Sequence, residues 1–497
     1  MESIWFATHP LTTTPNDDFV EGAHVDTVVA GAGLTGLTTA VLLARSGQKV
    51  AVLEARRAGA VTTGHTTAKV SLLQGKVLSQ IRRRYSDDVL RAYVEANREG
   101  QAWLLRLLQE RGVAHQTRDA WTYAETEPAA RQLQGELDAC RAAGLDEAAW
   151  TAESELPFPI AGALRLPGQA QIHPLEALDA LLAEFATHGG ILIENTRVTD
   201  ASSTSPVTVT TTRGRMTAER LVLATGTPIL DRGAYFAKLT PQRSYATTFR
   251  VPGPIPQGMY LSVDPPTRSL RTVPGDGGEQ LMVGGNGHVV GRSEATSQAV
   301  ADLVGWTEHH FPGAEHTHAW SAQDYRSVNR LPYVGPLPRG GGHIYVATGY
   351  NKWGMTNAVA AALNLSSQIL EGHTPWADTL GRRRSGLAGA VDAVKANAEV
   401  GMGMTKDWVQ AELRAVPAEA PAEGAGLVGR GEKGRPEAVS TVDGATCRVS
   451  GVCTHLGGIL RWNDAERSWD CPLHGSRFAA DGTLLEGPAV SDLPRLS

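Results

Sequence analysis

The chain has 497 residues, and at roughly 150 residues per domain that leaves room for about three domains, each with its own core. Hydrophobic residues at 42% and charged residues at 20% exclude a largely disordered chain, and a net charge of -6 leaves no basic footprint for nucleic acid. Four cysteines cannot frame a disulfide scaffold, yet Cys447, Cys453 and Cys471 fall close together near the end while Cys140 stands alone.

Residues 1–26 carry no basic stretch followed by an apolar run, so no signal peptide is expected. The most apolar stretch, 25–43, is broken by Gly, Thr and Asp, so no membrane span is expected and a cytoplasmic, reducing setting follows. Residues 25–30 are β-branched and read as a strand, 31–36 as a glycine turn, 37–45 as a helix closed by Gly47, and 49–54 as a second strand. Residues 87–111 and 129–143 show helical spacing; 190–194, 207–211 and 221–224 read as strands. Between 243 and 283 period-2 stretches predict an antiparallel sheet. Residues 342–347 form another strand, followed by a glycine-punctuated loop and a helix over 356–370 with Gly372 expected at its C′ position. Residues 385–414 look helical, 416–426 are rich in Pro, Ala, Glu and Gly and read as a linker, and the remainder has short strands and turns.

Gly31-x-Gly33-x-x-Gly36 lies between a predicted strand and helix, and Glu54 ends the next strand. Gly31 permits the tight turn, Gly33 lets backbone approach a pyrophosphate, Gly36 lets helix pack on strand, and Glu54 would accept hydrogen bonds from a ribose. The pattern predicts a dinucleotide site for FAD or NAD. Only one such motif follows a clear strand, which argues against a second module for a nicotinamide.

Gly64-His-Thr-Thr-Ala-Lys69, Leu221-Val-Leu-Ala-Thr-Gly226 and Ala347-Thr-Gly-Tyr-Asn-Lys-Trp-Gly-Met-Thr356 together resemble the D-amino-acid-oxidase-like (glycine/sarcosine oxidase) class of FAD-dependent oxidoreductases, over roughly residues 25–375. The resemblance implies FAD contacts from Gly31, Gly33, Leu34, Thr35, Gly36, Glu54, Ala55 and Arg56, from Thr66, Thr67 and Ala68 beside the ring, and from Thr225 and Gly226 near the adenosine. It also implies contacts from Gly349, Trp353, Gly354, Met355 and Thr356, where a helix N-terminus faces the flavin. His65 falls in the loop expected near the ring, where a histidine attaches to the flavin in some related dehydrogenases. Tyr245, Tyr260, Arg271, Asn286, His288, Tyr350 and Lys352 lie on segments that would face it. Arg271, Tyr245 and Lys352 are the substrate-facing candidates, with Arg271 able to clamp a carboxylate bidentately. His309, His310, His316 and His318 flank Pro312 and Gly313 and read as a solvated loop.

Cys453-Thr-His455 and Cys471-Pro-Leu-His474 are separated by fifteen residues. Two Cys and two His in paired loops suit a zinc ion or a [2Fe–2S] cluster, and the one-residue gap in Cys453-x-His455 fits zinc spacing poorly. With Gly457, Gly458 and Gly-Ser476-Arg-Phe478 around them, the loops resemble the Rieske signature, which makes Cys453, His455, Cys471 and His474 the metal ligands. The extra cysteines of respiratory Rieske loops are replaced by Gly458 and Leu473. Ser476 remains as a donor to a cluster sulfur and Phe478 stands where those proteins carry Tyr, so a potential low in the Rieske range is expected. Cys447 is expected to be a buried strand residue.

The expected class is α/β plus all-β. A tail (1–24) precedes a Rossmann-type FAD-binding domain (25–230 and 335–375, with a helical insertion at about 76–150) and an antiparallel-sheet substrate domain (231–334). A helical segment and linker (376–424) and a small β Rieske domain (425–497) follow. The combination predicts an FAD-dependent dehydrogenase that oxidises a small amine or amino-acid-like substrate and passes electrons through the cluster to an external one-electron acceptor. The same cofactors would serve an NAD(P)H-dependent reductase supplying an oxygenase, or a non-catalytic electron carrier.

Overall fold

The computed structural model describes residues 1–11, 19–275, 277–293, 295–382, 408, 416, 419–431 and 434–496. The β-branched run His24–Ala30 forms the middle of a parallel sheet ordered Ile344–Thr348, Gly214–Leu223, His24–Ala30, Val50–Leu53, Ile191–Ile193, with Tyr333–Pro336 antiparallel on one edge. These strands are buried on both faces, which is why they read as unbroken apolar runs. The helices Leu34–Arg45, Pro174–Thr187 and Gly354–Ile369 press Leu37, Val41, Leu181, Phe185, Val359 and Leu365 into one core with Val29 and Val52.

The helix Gly354–Ile369 ends one residue earlier than expected. Glu371, at φ 58°, takes the left-handed C′ position, and Gly372 is C″. The Gly372 N–H donates to the Ser367 carbonyl at 2.7 Å and the Glu371 N–H to Gln368 at 3.3 Å, the bond pair of a Schellman motif.

A nine-stranded sheet stands beside the first, built around Glu315–Ser327, Leu239–Arg250, Gly278–Val289, Arg268–Gly275 and Met259–Ser262. His115–Ala124, Gly162–Ile172 and Lys69–Val70 extend it, so strands from within 25–230, and one from the expected helical insertion, complete the sheet expected over 231–334. The insertion's helices Val77–Arg82, Asp87–Glu110 and Glu127–Ala142 are present. His115–Ala124 is half-exposed over its first half, so its alternation is too weak to stand out between two strong helices.

The last residues form a three-stranded sheet (Gly426–Arg430, Pro436–Val442, Ala445–Ser450) and a four-stranded one (Arg461–Asn463, Ser468–Asp470, Arg477–Ala479, Leu484–Glu486) around Trp469 and Phe478. Cys447 lies half-buried on Ala445–Ser450. The helix expected over 385–414 lies outside the described residues except at Trp408, whose indole N–H donates to the Gly457 carbonyl at 3.1 Å. Among the described residues no helix is long and apolar enough to cross a membrane.

Candidate functional site

The glycine turn opens a cavity of about 410 Å³. A Cβ on Gly36 would stand 1.9 Å from the Gly31 carbonyl oxygen, so only glycine lets the helix sit this close to the turn. Gly33 caps the helix without a side-chain bond, and the Thr63 hydroxyl accepts from the Leu34 N–H at 3.1 Å. Free N–H groups at a helix start and the positive end of its dipole suit a pyrophosphate. Glu54 accepts from the Ala32 and Arg56 N–H groups, both at 2.9 Å; burial nevertheless raises its carboxyl above the ordinary range. Glu54 is thereby fixed at the cavity's edge.

Of the residues anticipated for the dinucleotide, Gly31, Gly33, Leu34, Thr35, Glu54, Ala55, Arg56, Thr66, Thr67, Thr225, Gly226, Gly349, Trp353, Gly354 and Met355 line this cavity. Gly36, Ala68 and Thr356 do not. Ala68 is buried with its carbonyl accepting from Arg271, and the Thr356 hydroxyl donates to Asn97 Oδ1 at 2.6 Å.

Tyr245 and Lys352 also line the cavity: the Tyr245 hydroxyl pairs with His288 Nε2 at 3.2 Å, and Lys352 Nζ donates to the Ser244 hydroxyl at 2.6 Å. Arg271 is placed elsewhere. Fully buried, it donates to the carbonyls of Thr272, Thr67, Ala68 and Ile172 and lies over the Trp5 ring, so its guanidinium ties the Thr67–Ala68 loop to the second sheet and no clamp faces the cavity. Tyr260 stacks on Trp121, and Asn286 donates to Asp302, both away from the lining. His65 reaches the cavity, with Nδ1 on the Val61 carbonyl at 2.7 Å. His310 packs between Phe158 and Trp306 instead of standing in solvent.

Sequence reasoning missed Lys69 as a lining residue. Its ammonium is buried and donates to the Tyr260 carbonyl at 2.7 Å and the Ser269 hydroxyl at 2.6 Å; burial, then Arg271 nearby, pulls its pKa well down. It also missed Arg197, Asp324 and, from the far end of the chain, Leu485, Glu486 and Gly487. A buried lysine on a short strand carries no signal of its own, and contacts across four hundred residues carry none either.

The second centre lies between the loops that hold Cys453 and His455 and Cys471 and His474. The Cys453 N–H donates to Gly458 and the Cys471 N–H to Ser476, both at 2.8 Å, closing each loop over its sulfur. The imidazoles of His455 and His474 stand edge to face at 5.1 Å, and the Nδ1 of each is buried with no hydrogen-bond partner. Two orphaned ring nitrogens beside two buried thiols are what a pair of histidine-ligated and cysteine-ligated irons would satisfy. A hydrogen bond with Cys471 draws the Cys453 thiol down to about 7, toward the thiolate that binds metal, and pushes Cys471 up. Among the described residues no group of three or more His, Cys, Asp or Glu side chains is gathered as for one metal ion.

The cluster loops rest on the rest of the chain. His455 Nε2 meets Asp231 Oδ1 at 3.1 Å, and Phe236 lies against His474. Gly475, at φ 82°, brings its backbone so near Pro241 that a Cβ would stand 2.6 Å from it, and its carbonyl accepts from Gln323 Nε2 at 2.8 Å. Behind it, fully buried Arg243 donates to Ser321 and Gln323 and faces Asp470 at 3.4 Å. Although burial opposes it, Arg243 and Arg477 hold the Asp470 carboxyl below the ordinary range.

Residues 26–368 match the family model for FAD dependent oxidoreductases (DAO), and residues 424–497 match that of the Rieske [2Fe-2S] domain. The chain is 30% identical over 502 aligned residues, all of its own length and 97% of the relative's, to a Bacillus subtilis protein named as a Rieske 2Fe-2S iron-sulfur protein, YhfW. The cytochrome b6-f complex iron-sulfur subunit of Synechococcus sp. (strain JA-3-3Ab) is 38% identical over 73 residues, 14% of this chain and 42% of that protein. Among solved structures, glycine oxidase from Geobacillus kaustophilus superposes with a TM-score of 0.60 at 22% identity, over 71% of this chain and 96% of its own. L-proline dehydrogenase from P. horikoshii does so at 0.58 and 17%, over 73% and 100%. At these identities the structural likeness is one of fold. The chain therefore belongs to the DAO family of FAD-dependent oxidoreductases and carries a C-terminal Rieske [2Fe-2S] domain.

Proposed function

We propose that the chain is a dehydrogenase that oxidises a small amine or amino-acid-like substrate and delivers the electrons singly, by way of the cluster, to an external one-electron acceptor. One observation carries this reading: the strand Glu315–Ser327 touches both the cavity and the Cys471–His474 loop. Gln323 holds the cluster loop through Gly475, while its neighbours Ala322 and Asp324 line the cavity. The two sites therefore share neighbouring residues of one strand. Single-electron transfer falls steeply with distance, and this adjacency favours it.

FAD, when bound, supplies hydride acceptance, and the [2Fe–2S] centre supplies one-electron carriage. The chain's own residues do the rest. Gly31, Gly33 and the helix behind them would receive the pyrophosphate, and Glu54 the ribose. Tyr245 (held by His288), Ser244 with Lys352, and buried Lys69 with Ser269 offer polar groups to orient a small substrate. Burial lowers the pKa of His288 and keeps its ring neutral, with Nδ1 on the Val289 carbonyl and Nε2 on the Tyr245 hydroxyl, so that it positions Tyr245 from behind the wall. Two fold neighbours named for glycine and L-proline support the substrate class.

The test is an anaerobic screen of amines, N-methyl amino acids and nicotinamides on holo-protein, following flavin bleaching together with the EPR signal of the reduced cluster. Bleaching by an amine or amino acid, followed by the cluster signal, is expected. Bleaching by NADH and by no amine would replace this reading with a reductase, and silence to every reductant would leave a carrier.

A further inference from the structure

The cavity that holds the glycine turn is not closed by the oxidoreductase domain alone. Leu485, Glu486 and Gly487 stand in the same wall as Glu54, Arg56 and Gly226. We propose that the Rieske domain supplies part of the dinucleotide site, so that FAD is held between two domains and its retention depends on the docked Rieske domain.

Three sets of contacts fix this wall. Arg197, itself a lining residue, donates through Nη2 to the Leu484 carbonyl at 3.0 Å. The Tyr325 hydroxyl reaches the Gly487 carbonyl at 3.4 Å and accepts from Gln323 Nε2 at 3.0 Å, while its ring lies beneath Gly226. Glu486 is buried and faces Arg477 at 3.7 Å, and Arg56 lies near enough to act on both charges. A carboxylate buried at a cavity wall among arginines is costly unless its position is held from both sides. Here one side is the Rieske sheet and the other is the dinucleotide end marked by Glu54.

The same short segment also touches the cluster pocket. Leu484–Glu486 pairs with Arg477–Ala479, which follows directly from the Cys471–His474 loop. Two residues past Gly487, the Ala489 N–H donates to the Ser476 hydroxyl at 3.0 Å, and the Ser476 carbonyl accepts from the Cys471 N–H at 2.8 Å. The wall of one centre and the lining of the other are thus one continuous piece of chain. Because binding and docking share this surface, linkage requires each to strengthen the other by the same factor.

The experiment titrates FAD into deflavinated full-length protein whose cluster is intact. A Cβ on Gly487 would find its nearest atoms at 3.5 Å and 3.6 Å, on Ala489 and Ile229, so a side chain can be added at the wall without striking backbone at close range. Gly487→Phe is expected to weaken FAD binding by about tenfold or more, read by flavin fluorescence, with the cluster EPR signal unchanged. An unchanged affinity overturns the proposal. Wild-type protein gives an independent answer, free of any folding defect in the variant, through hydrogen exchange with and without FAD. Slowed exchange at 485–487 as well as at 31–36 is expected, and slowing at 31–36 alone overturns the proposal.

Discussion

Four side chains on two loops, Cys453 to His474, make the proposed cluster pocket, whereas the proposed FAD cavity is assembled from segments that run from Ala30 to Gly487. The first is a short-range device whose ligands cannot be shared out, because each iron–ligand bond needs its own atom. The second spreads its work over many weak contacts, and its most demanding residue, Gly36, does not line the cavity at all. A concentrated site is expected to fail at once under substitution of its side chains, and a distributed site is expected to fail chiefly when its scaffold is disturbed.

The sharpest break of this contrast is Cys471→Ser, which should abolish the cluster outright, leaving no Rieske EPR signal and no inorganic sulfide. Next comes Gly36→Val. With backbone at 1.9 Å from the added carbon, it should cost about 4 kcal/mol, above the usual range for overpacking, seen as a lower urea midpoint and loss of FAD. Arg243→Leu follows. It strips one cation from buried Asp470 between the two centres and should cost about 3 kcal/mol, held to the low end because Arg477 still faces that carboxylate at 3.4 Å. Chemical denaturation reads it.

Phe478→Tyr should raise the cluster midpoint in an EPR-monitored redox titration by adding a donor in the buried shell, from a wild-type value low in the Rieske range. A wild-type midpoint equal to that of respiratory Rieske proteins would contradict the expectation. The mildest case is Thr66→Ala, whose hydroxyl accepts from the Ala68 N–H; it should change FAD affinity by less than about threefold, an effect of under ~1 kcal/mol, because the lining is shared widely.

Both centres were legible in the sequence to the degree that their geometry is local. Gly31, Gly33, Gly36 and Glu54 sit on one strand–turn–helix–strand unit, and the cluster ligands on two loops, so spacing alone carries most of the information. Arg271 shows where this stops. On an alternating strand an arginine facing a cavity and one tying down a neighbouring loop look alike, and only the carbonyls of Thr67, Ala68 and Ile172 decide between them. Lys69 and Glu486 were illegible for a related reason: each gains its meaning from partners that the topology, and not the neighbouring sequence, brings near. The strand His115–Ala124 joined the second sheet because pairing partners on both sides outweigh its weak pattern.

Glu315–Ser327 serves two masters within four consecutive residues: Gln323 bonds to the appended domain, Ala322 and Asp324 line the cavity, and Tyr325 touches both. Deleting or inserting one residue upstream of this point would shift every side chain to the other face and take the Gln323 amide off the Gly475 carbonyl. Such a length change should therefore be far less tolerated here than in the linker, and any drift in this stretch is confined to replacements that keep the count.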